Sequence, residues 1–303
     1  MRYLGSDALR EALPPSVARQ AIAGAFAAIE AGSLSGPVRT SFGVAEGSSL
    51  LMPAVSREHL GLKVLHLRGD NPDRGLPAIV GEFFLYERTS GELLAVLDGV
   101  ELTGIRTGAL AGHATALLAP DGSRIGAVLG AGQQGYYQAR ALCEAAPLQE
   151  LRIWNRTPQR AERLAERLRG ELQGVTIRIA EDPAAAVAGA HAATLATAAL
   201  RPLLSCDDVP AEIHLNAMGS YLPEMSELAP DLLAAASQLL VDDVAGALAE
   251  AGDLLQAAAA GKVSLGGLKT LAGARLPRRG ITVFKSVGAA VFDLAVAEAV
   301  LRQ

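Results

Sequence analysis

Aromatic residues are scarce in this 303-residue sequence, at 4%, although half of its residues are hydrophobic. A chain of this length can bury a sizeable core, which must consist mainly of Ala, Leu and Val. Long runs of large apolar residues are also missing. The longest uncharged stretch, 183–200, is rich in Ala and contains a glycine, a histidine and two threonines, which makes it a poor membrane span. We predict a helix, a turn and a buried strand there, and no membrane contact.

Cysteine and clustered positive charge are the other absences. The two cysteines, Cys143 and Cys206, do not form a CxxC pair, so the sequence predicts no zinc or other metal site and fits a reduced compartment. The N-terminus lacks a basic stretch followed by an apolar one, so we expect no signal peptide and a cytoplasmic location. The net charge of −5 comes without a Lys/Arg block, which argues against a nucleic-acid partner.

The length predicts about two domains, and the pattern changes near Ala119. Before it, helix and strand signals are mixed, with a helix after Pro14-Pro15-Ser16 and another over 102–118. From Arg124, short apolar runs alternate with helical stretches, which is typical of a doubly wound parallel α/β sheet. We predict an apolar helix over 287–301. The domains are therefore expected to be 1–118 with 289–303, and 119–288.

A glycine-rich loop follows the first strand of the second domain. The apolar run 125–129 leads into Gly130-Ala131-Gly132-Gln133-Gln134-Gly135, a GxGxxG motif, and a helical pattern begins at once. The first glycine permits a tight turn, the second lets a pyrophosphate approach the backbone, and the third lets helix and strand pack closely. The helix N-terminus supplies N–H groups and partial positive charge. We predict that all six residues bind a nicotinamide dinucleotide and that the protein is an oxidoreductase.

The end of the next strand predicts which dinucleotide is preferred. A site for NAD usually has Asp or Glu here, which binds the ribose 2′-hydroxyl. The sequence instead reads Trp154-Asn155-Arg156-Thr157, with Arg160 one helical turn later. An amide, a guanidinium and a hydroxyl accept a 2′-phosphate that a carboxylate would repel. We predict NADPH in preference to NADH. Two later strand ends, Thr197 and the segment around Met218, are also expected to face the cofactor.

Several segments resemble the ornithine cyclodeaminase/mu-crystallin family, and their order covers nearly the whole chain. They are GLKV at 61–64, LLAVLDGVELTGIRTGAL at 93–110, the glycine loop, NAMGSYLPEMSEL at 216–228 and FKSVGAAVFDLA at 284–295. The resemblance implies a homodimer, with a mixed α/β domain that binds substrate and forms the dimer contact, and a Rossmann domain that binds the cofactor. The run 154–157 is similar to the mu-crystallin version of the second strand, which again implies NADPH.

The resemblance also implies a substrate site. Arg39, Lys63 and Arg106 match the family's positions for the substrate carboxylate and nitrogen, and Lys63 and Arg106 are the candidate catalytic residues. Both lie in apolar runs, where an unpaired charge is unfavourable. A carboxylate ligand would neutralise them, and so would an internal Asp or Glu; the sequence leaves both possibilities open. Thr107 matches a position beside the cofactor. The segment Lys285-Ser286-Val287-Gly288 matches one that returns near the nicotinamide, with Val287 assigned to the cofactor and Gly288 to the substrate.

One departure from the family pattern bears on the reaction. Cyclodeaminases carry an Asp shortly after the Asn-Ala that opens the 216–228 segment, and here Tyr221 stands at that position. Mu-crystallin-like ketimine reductases also lack this Asp. The sequence therefore favours an NAD(P)H-dependent reductase of small cyclic ketimine carboxylates, acting on an imino or amino acid. Two alternatives remain: an ornithine or lysine cyclodeaminase or alanine-type dehydrogenase, and a non-enzymatic NADPH-dependent binding protein.

Overall fold

The computed structural model describes residues 1–275 and 279–302. The chain forms two compact units, one made of Met1–Arg106 with the C-terminal segment from Ala289, the other of Thr107–Gly288. The boundary predicted from sequence, between 118 and 119, lies twelve residues further along the chain. The division falls earlier because the second half of the helix that crosses it packs within the second unit. There, a Cβ added at Gly108 would lie 2.8 Å from the Tyr137 carbonyl oxygen.

The first unit is a mixed α/β structure built on a six-stranded sheet. Its strands lie in the order β1-β6-β5-β4-β3-β2, with β1 parallel to β6 and the other neighbours antiparallel. The elements of the chain up to residue 118 are β1 (Arg2–Leu4), α1 (Ser6–Ala12), α2 (Pro15–Glu30), β2 (Thr40–Val44), β3 (Gly47–Val55), β4 (His59–Arg68), β5 (Ile79–Glu87), β6 (Leu93–Asp98) and α3 (Gly99–Leu118).

Local chemistry explains where these helices begin. Proline at the first position starts α2, since its fixed φ suits a helix and its missing N–H would be unpaired there anyway. The side chain of Asp98 accepts hydrogen bonds from the N–H groups of Val100 and Glu101 and so caps α3. The buried residues of α2 recur at helical spacing, and the helix packs against the C-terminal segment, where Phe26 contacts Phe292.

The second unit is an eight-stranded sheet in which every neighbouring pair is parallel. The strand order is β13-β12-β14-β11-β10-β7-β8-β9. Its elements are β7 (Ile125–Leu129), α4 (Gln133–Ala145), β8 (Glu150–Trp154), α5 (Pro158–Glu171), β9 (Thr176–Ile179), α6 (Pro183–Val187), β10 (Ala192–Leu195), β11 (Ile213–Ala217), α7 (Pro230–Ala235), β12 (Gln238–Val241), α8 (Val244–Glu250), α9 (Gly252–Ala259), β13 (Lys269–Thr270) and β14 (Ile281–Lys285).

This topology confirms the predicted doubly wound fold. The chain runs outward from β7 through β8 to β9, then returns to β10 on the other side of β7, so the order reverses between β7 and β10. In such sheets ligands bind at the carboxyl ends of the strands beside that reversal. The predicted helix, turn and buried strand within 183–200 are confirmed as α6 and β10.

The C-terminal helix is shorter than predicted. It is α10 (Ala290–Leu301), which packs in the first unit against α2, β3 and β4. The sequence predicts a helix from 287, but Gly288 has φ +86° and Ala289 is extended, so the helix begins only at Ala290. The side chain of Asp242 accepts a hydrogen bond from the Gly288 N–H at 2.8 Å, which holds this segment outside the helix.

Candidate active site

The glycine loop has the geometry that a dinucleotide pyrophosphate requires. Gly130 has φ +113°, and a Cβ there would lie 2.5 Å from the Ala196 carbonyl oxygen. A Cβ on Gly135 would lie 2.1 Å from the Gly130 carbonyl oxygen, so this glycine allows helix and loop to touch. A Cβ on Gly132 would meet nothing within 4 Å. The space beside Gly132 is where a pyrophosphate can approach the backbone, and the first N–H groups of α4 adjoin it.

Asn155 is used internally at the end of β8. Its Oδ1 accepts a hydrogen bond from the Ala131 N–H at 2.9 Å, and its Nδ2 donates to the Thr157 carbonyl at 2.9 Å. It therefore ties the strand end to the glycine loop. Three polar residues beside it are exposed: Arg156, Thr157 and Arg160. Their side chains are available to contact a phosphate.

The ends of β10 and β11 carry the next two predicted cofactor residues. Thr197 follows β10, and both its N–H and its hydroxyl donate to Glu227 at 2.7 Å. Met218 follows β11 and is nearly buried, with its N–H donating to the Leu195 carbonyl. These contacts bring the two strand ends together at the edge of the sheet where the glycine loop also lies.

The segment after β14 is held by one buried carboxylate. The Ser286 hydroxyl donates to Asp242 Oδ2 at 2.6 Å, and the Gly288 N–H donates to the same oxygen. Val287 lies between them and is 7% exposed. Because Asp242 follows β12 directly, the end of the sheet holds the backbone of Val287 and Gly288 in place.

Thr107 is the last predicted cofactor residue and begins the second unit. Its side chain is buried, and its Oγ1 has no hydrogen-bond partner among the described residues. A buried hydroxyl without a hydrogen-bond partner is costly. The Thr107 hydroxyl is therefore suited to form a hydrogen bond with a bound molecule.

In the first unit, Lys63 and Arg106 meet at a single carboxylate. The Lys63 ammonium donates to Asp293 Oδ2 at 2.8 Å, and Arg106 Nε donates to Asp293 Oδ1 at 3.3 Å. Lys63 and Asp293 are fully buried and Arg106 is 5% exposed. Strand β4 supplies the lysine, α3 the arginine and α10 the aspartate. Of the two possibilities left open by the sequence, an internal acidic partner is thus present.

Asp293 balances only one of the two positive charges. Among the described residues, Arg106 bonds to it through Nε alone, so the outer edge of the guanidinium remains for a second carboxylate. Burial lowers the pKa of Lys63 to about 8, an effect that Asp293 opposes and that Arg106 and Arg39 reinforce. Arg39, the third predicted substrate residue, immediately precedes β2. It lies close enough to Lys63 for its positive charge to lower the pKa of that lysine.

The sequence does not assign Asp293, Asp242 or Glu227 to the site, although the structure places each of them in contact with a predicted site residue. The available signal was an acidic residue inside an apolar run, as in FDLA at 292–295. Tyr221 is half-buried and packs against the core of the second unit.

Two further features concern metals and membranes. Over residues 1–275 and 279–302, no cluster of three or more His, Cys, Asp or Glu side chains is arranged to hold a metal ion. Across the same part of the chain, no helix has both the length and the apolar character needed to cross a membrane.

The parallel sheet with its glycine loop defines the class: a Rossmann-type dinucleotide-dependent oxidoreductase, as predicted. The chain belongs to the ornithine cyclodeaminase/mu-crystallin family, whose sequence profile matches residues 10–303. Ketimine reductase mu-crystallin of Mus musculus is 35% identical over 274 residues, 89% of this chain and 85% of that protein. Delta(1)-pyrroline-2-carboxylate reductase of Bacillus cereus is 34% identical, over 86% of this chain and 84% of the other.

A solved structure gives a similar comparison. It is the Thermococcus litoralis Delta(1)-pyrroline-2-carboxylate reductase in complex with NADH and L-proline, with a TM-score of 0.93 and 29% identity. The alignment covers 100% of this chain and 97% of the other. The family assignment and the fold class made from sequence are both confirmed.

Proposed function

We propose that this protein is an NADPH-preferring reductase of small cyclic ketimine carboxylates, such as pyrroline-2-carboxylate or piperideine-2-carboxylate, and that it acts as a homodimer. The observation that carries the proposal is the arrangement of Lys63 and Arg106 on one shared Asp293. Two buried cations against one carboxylate leave a net positive charge. A small anionic substrate would complete the balance.

The two units supply the two requirements of the reaction. A reduced nicotinamide, when bound, supplies the hydride. The second unit offers the glycine loop, with Arg156 and Arg160 exposed where a 2′-phosphate is expected. The first unit offers the cations that would hold the substrate carboxylate, which fixes the direction of the C=N bond.

No strong protein acid is required for this reaction. A protonated imine already carries the proton that the product amine keeps, so hydride addition to carbon completes the reduction. This fits a site in which Tyr221 replaces the cyclodeaminase aspartate. Glu227 is not free to replace it, because both of its oxygens accept hydrogen bonds from Thr197 and Gly219.

The test is a screen of NADPH and NADH oxidation over cyclic imines and over keto acids supplied with ammonia or amines. The proposal expects turnover with a cyclic ketimine carboxylate and a weaker response from the same ring without its carboxyl group. Turnover with keto acid and ammonia in place of the imine would instead support an amino-acid dehydrogenase. Tight dinucleotide binding with no turnover of any compound would support a binding protein.

A further inference from the structure

Glu227 joins two strand ends of the second unit through three hydrogen bonds. Its Oε1 accepts from the N–H and the hydroxyl of Thr197, each at 2.7 Å, and its Oε2 accepts from the Gly219 N–H at 2.8 Å. The side chain is fully buried. All three partners are donors, so the arrangement uses the residue as a carboxylate, which only accepts.

The fit around this carboxylate is tight. A Cβ at Gly219 would lie 2.4 Å from Glu227 Oε1 and 2.1 Å from the Thr197 carbonyl oxygen. Glycine is therefore required at 219 for the two turns to approach each other across the carboxylate. Because the Thr197 backbone and the Glu227 carboxylate both lie directly against Gly219, we expect a shift of the carboxylate to move at least one of these turns.

A second layer holds Glu227 itself in place. Asp253, at the start of α9, accepts hydrogen bonds from the N–H groups of Glu227 and Leu228 at 2.6 and 3.0 Å. The other oxygen of Asp253 lies 2.9 Å from the Lys285 ammonium, and both side chains are buried. Burial raises the pKa of Glu227, and the positive charge of Lys285 opposes this effect. Since Lys285 ends β14, this network connects the ends of three adjacent strands.

The position of these strands indicates what the network serves. A doubly wound sheet has two mononucleotide-binding halves, and the residue after the second strand of the first half faces the adenosine ribose. In this chain the first half is β7, β8 and β9, and it contains the glycine loop and Arg156. The strands joined by Glu227 belong to the other half, which must receive the nicotinamide.

We propose that Glu227 is a positioning residue for the nicotinamide half of the cofactor, acting by fixing the turns at Thr197 and Gly219. The inference rests on the dinucleotide binding contained in the proposed function, but not on the identity of the substrate. It predicts that loss of the carboxylate disturbs one half of the dinucleotide site and leaves the other half intact.

The test compares two ligands in the variant Glu227→Gln. The amide keeps the size of the side chain but turns one of its two acceptors into a donor, which then opposes an N–H of Thr197 or Gly219. One ligand is the cofactor that the wild type prefers. The other is its adenosine fragment alone, adenosine 2′,5′-bisphosphate for NADPH or 5′-AMP for NADH. Binding is measured by calorimetry, so no substrate needs to be known.

Glu227→Gln should bind the whole cofactor about ten- to a hundredfold more weakly, as expected for loss of a hydrogen bond to a charged group. Its affinity for the adenosine fragment should stay within about twofold, which also shows that the unit is folded. Glu227→Asp keeps the charge but shortens its reach, so it should show a smaller loss in the same direction. A matched control is Asp182→Asn, whose carboxylate accepts from the Ala185 N–H as the cap of α6; both affinities should be unchanged.

Equal weakening of the whole cofactor and the fragment would overturn the inference, because the role of Glu227 would then be general support of the fold. So would unchanged affinity for both ligands. If Glu227→Gln cannot be obtained folded, the same comparison with Glu227→Asp decides. If Glu227→Gln shows the selective loss but the wild type oxidises its cofactor with none of the imines tested, this inference stands and the proposed reaction is refuted. A wild type that binds neither dinucleotide would overturn both.

Discussion

Asp293 pairs with both buried cations of the first unit, Lys63 and Arg106. Without it, Lys63 and Arg106 would be buried like charges, each strongly disfavoured. With it, the group of three is stable enough to exist before substrate arrives, yet keeps one positive charge in excess. In the proposed reaction, a substrate carboxylate would meet cations that are already oriented, and little reorganisation would be needed on binding.

The titration of Lys63 gives a direct test of this anchor. Burial lowers the pKa of Lys63 to about 8, so the side chain is charged below that pH and neutral above it. Binding of cyclopentanecarboxylate, whose only titrating group ionises far below neutral pH, should therefore weaken by up to about tenfold per pH unit above pH 8. Lys63→Arg should flatten the profile, because a guanidinium stays charged.

Calorimetric titrations over about pH 6–10 in the presence of saturating cofactor measure this dependence. Because cyclopentanecarboxylate carries no imine, protonation of a substrate nitrogen does not contribute to the profile. A wild-type affinity that stays constant through pH 8 would show that Lys63 does not contact the carboxylate.

Cofactor preference is a second question at the scale of one residue. Because Asn155 is committed to Ala131 and Thr157, Arg156 is the neighbouring group best able to contact a 2′-phosphate. We expect the wild type to prefer NADPH over NADH by about ten- to a hundredfold, the value of a hydrogen bond to a charged group. Arg156→Ala should remove most of that preference, while Arg163→Ala, further along α5, should not. Equal wild-type dissociation constants for the two cofactors would refute the assignment.

At the scale of the elements, two glycines at the junction of β7 and α4 have different roles. Gly132 is expected to be required for ligand binding, and Gly135 for packing. A Cβ at Gly132 would meet nothing within 4 Å, and its φ of −83° suits alanine. Gly132→Ala should therefore fold with unchanged stability but bind NADPH much more weakly, because the methyl group takes the space of the pyrophosphate. Gly135→Ala places a Cβ against the Gly130 carbonyl and should lower stability by about 1–3 kcal/mol as well.

Urea denaturation and dinucleotide titration of both variants make the comparison. The prediction for the loop is wrong if Gly132→Ala keeps wild-type affinity, or if it is destabilised as much as Gly135→Ala.

Strands β11 and β14 are joined by a buried polar network with its own pH dependence. His214 Nδ1 lies 3.0 Å from the Thr282 hydroxyl and its Nε2 lies 3.0 Å from Asn216 Oδ1. Burial lowers the pKa of His214 from 6.5 to about 4. The unfolded chain takes up a proton as pH falls through 6.5, whereas the native state does so only near 4. Stability is therefore lost as pH falls through this window, by about 3 kcal/mol in total.

The single tryptophan, Trp154, lies at the end of β8 in the second unit and reports the unfolding of that unit by fluorescence. Other carboxylates titrate in the same range, so the comparison is with His214→Gln, which should lose less stability between pH 6.5 and 4 than the wild type. Identical slopes in the two proteins would contradict the role given to His214.

At the scale of the whole molecule, the local pattern of apolar residues was enough to predict the parallel sheet of the second unit. Buried parallel strands have continuous apolar runs, and the run 125–129 coincides with β7 to the residue. The contacts that build the site were not accessible in this way. Asp293 meets Arg106 and Lys63 across 187 and 230 residues of sequence, and no local periodicity contains such a pairing. The same holds for the buried ion pair between Lys285, at the end of β14, and Asp253, in α9.

The reaction itself is the prediction that involves the entire chain. A cyclodeaminase needs a titratable group of suitable pKa within hydrogen-bond reach of its substrate. Tyr221 stands where the aspartate would be, and a phenol, a far weaker acid than a carboxylic acid, is a poor substitute for a carboxylate at neutral pH. Glu227 is bound by three donors. We therefore expect no ammonia from ornithine or lysine supplied with NAD+ or NADP+, and NADPH oxidation with cyclic ketimine carboxylates.

The pH dependence of that reduction should follow the substrate rather than a protein acid. The rate should rise as pH falls toward the pKa of the imine, because the iminium accepts hydride more readily than the neutral imine. The anchor should persist through this acidification, since Lys63 and Arg106 stay charged and a substrate carboxylate remains ionised down to about pH 4. Initial rates with a cyclic ketimine, recorded together with ammonia release from ornithine, test both statements. Proline and ammonia formed from ornithine at an ordinary turnover rate would refute the assignment. That result would mean that another residue performs the role of the aspartate that Tyr221 replaces.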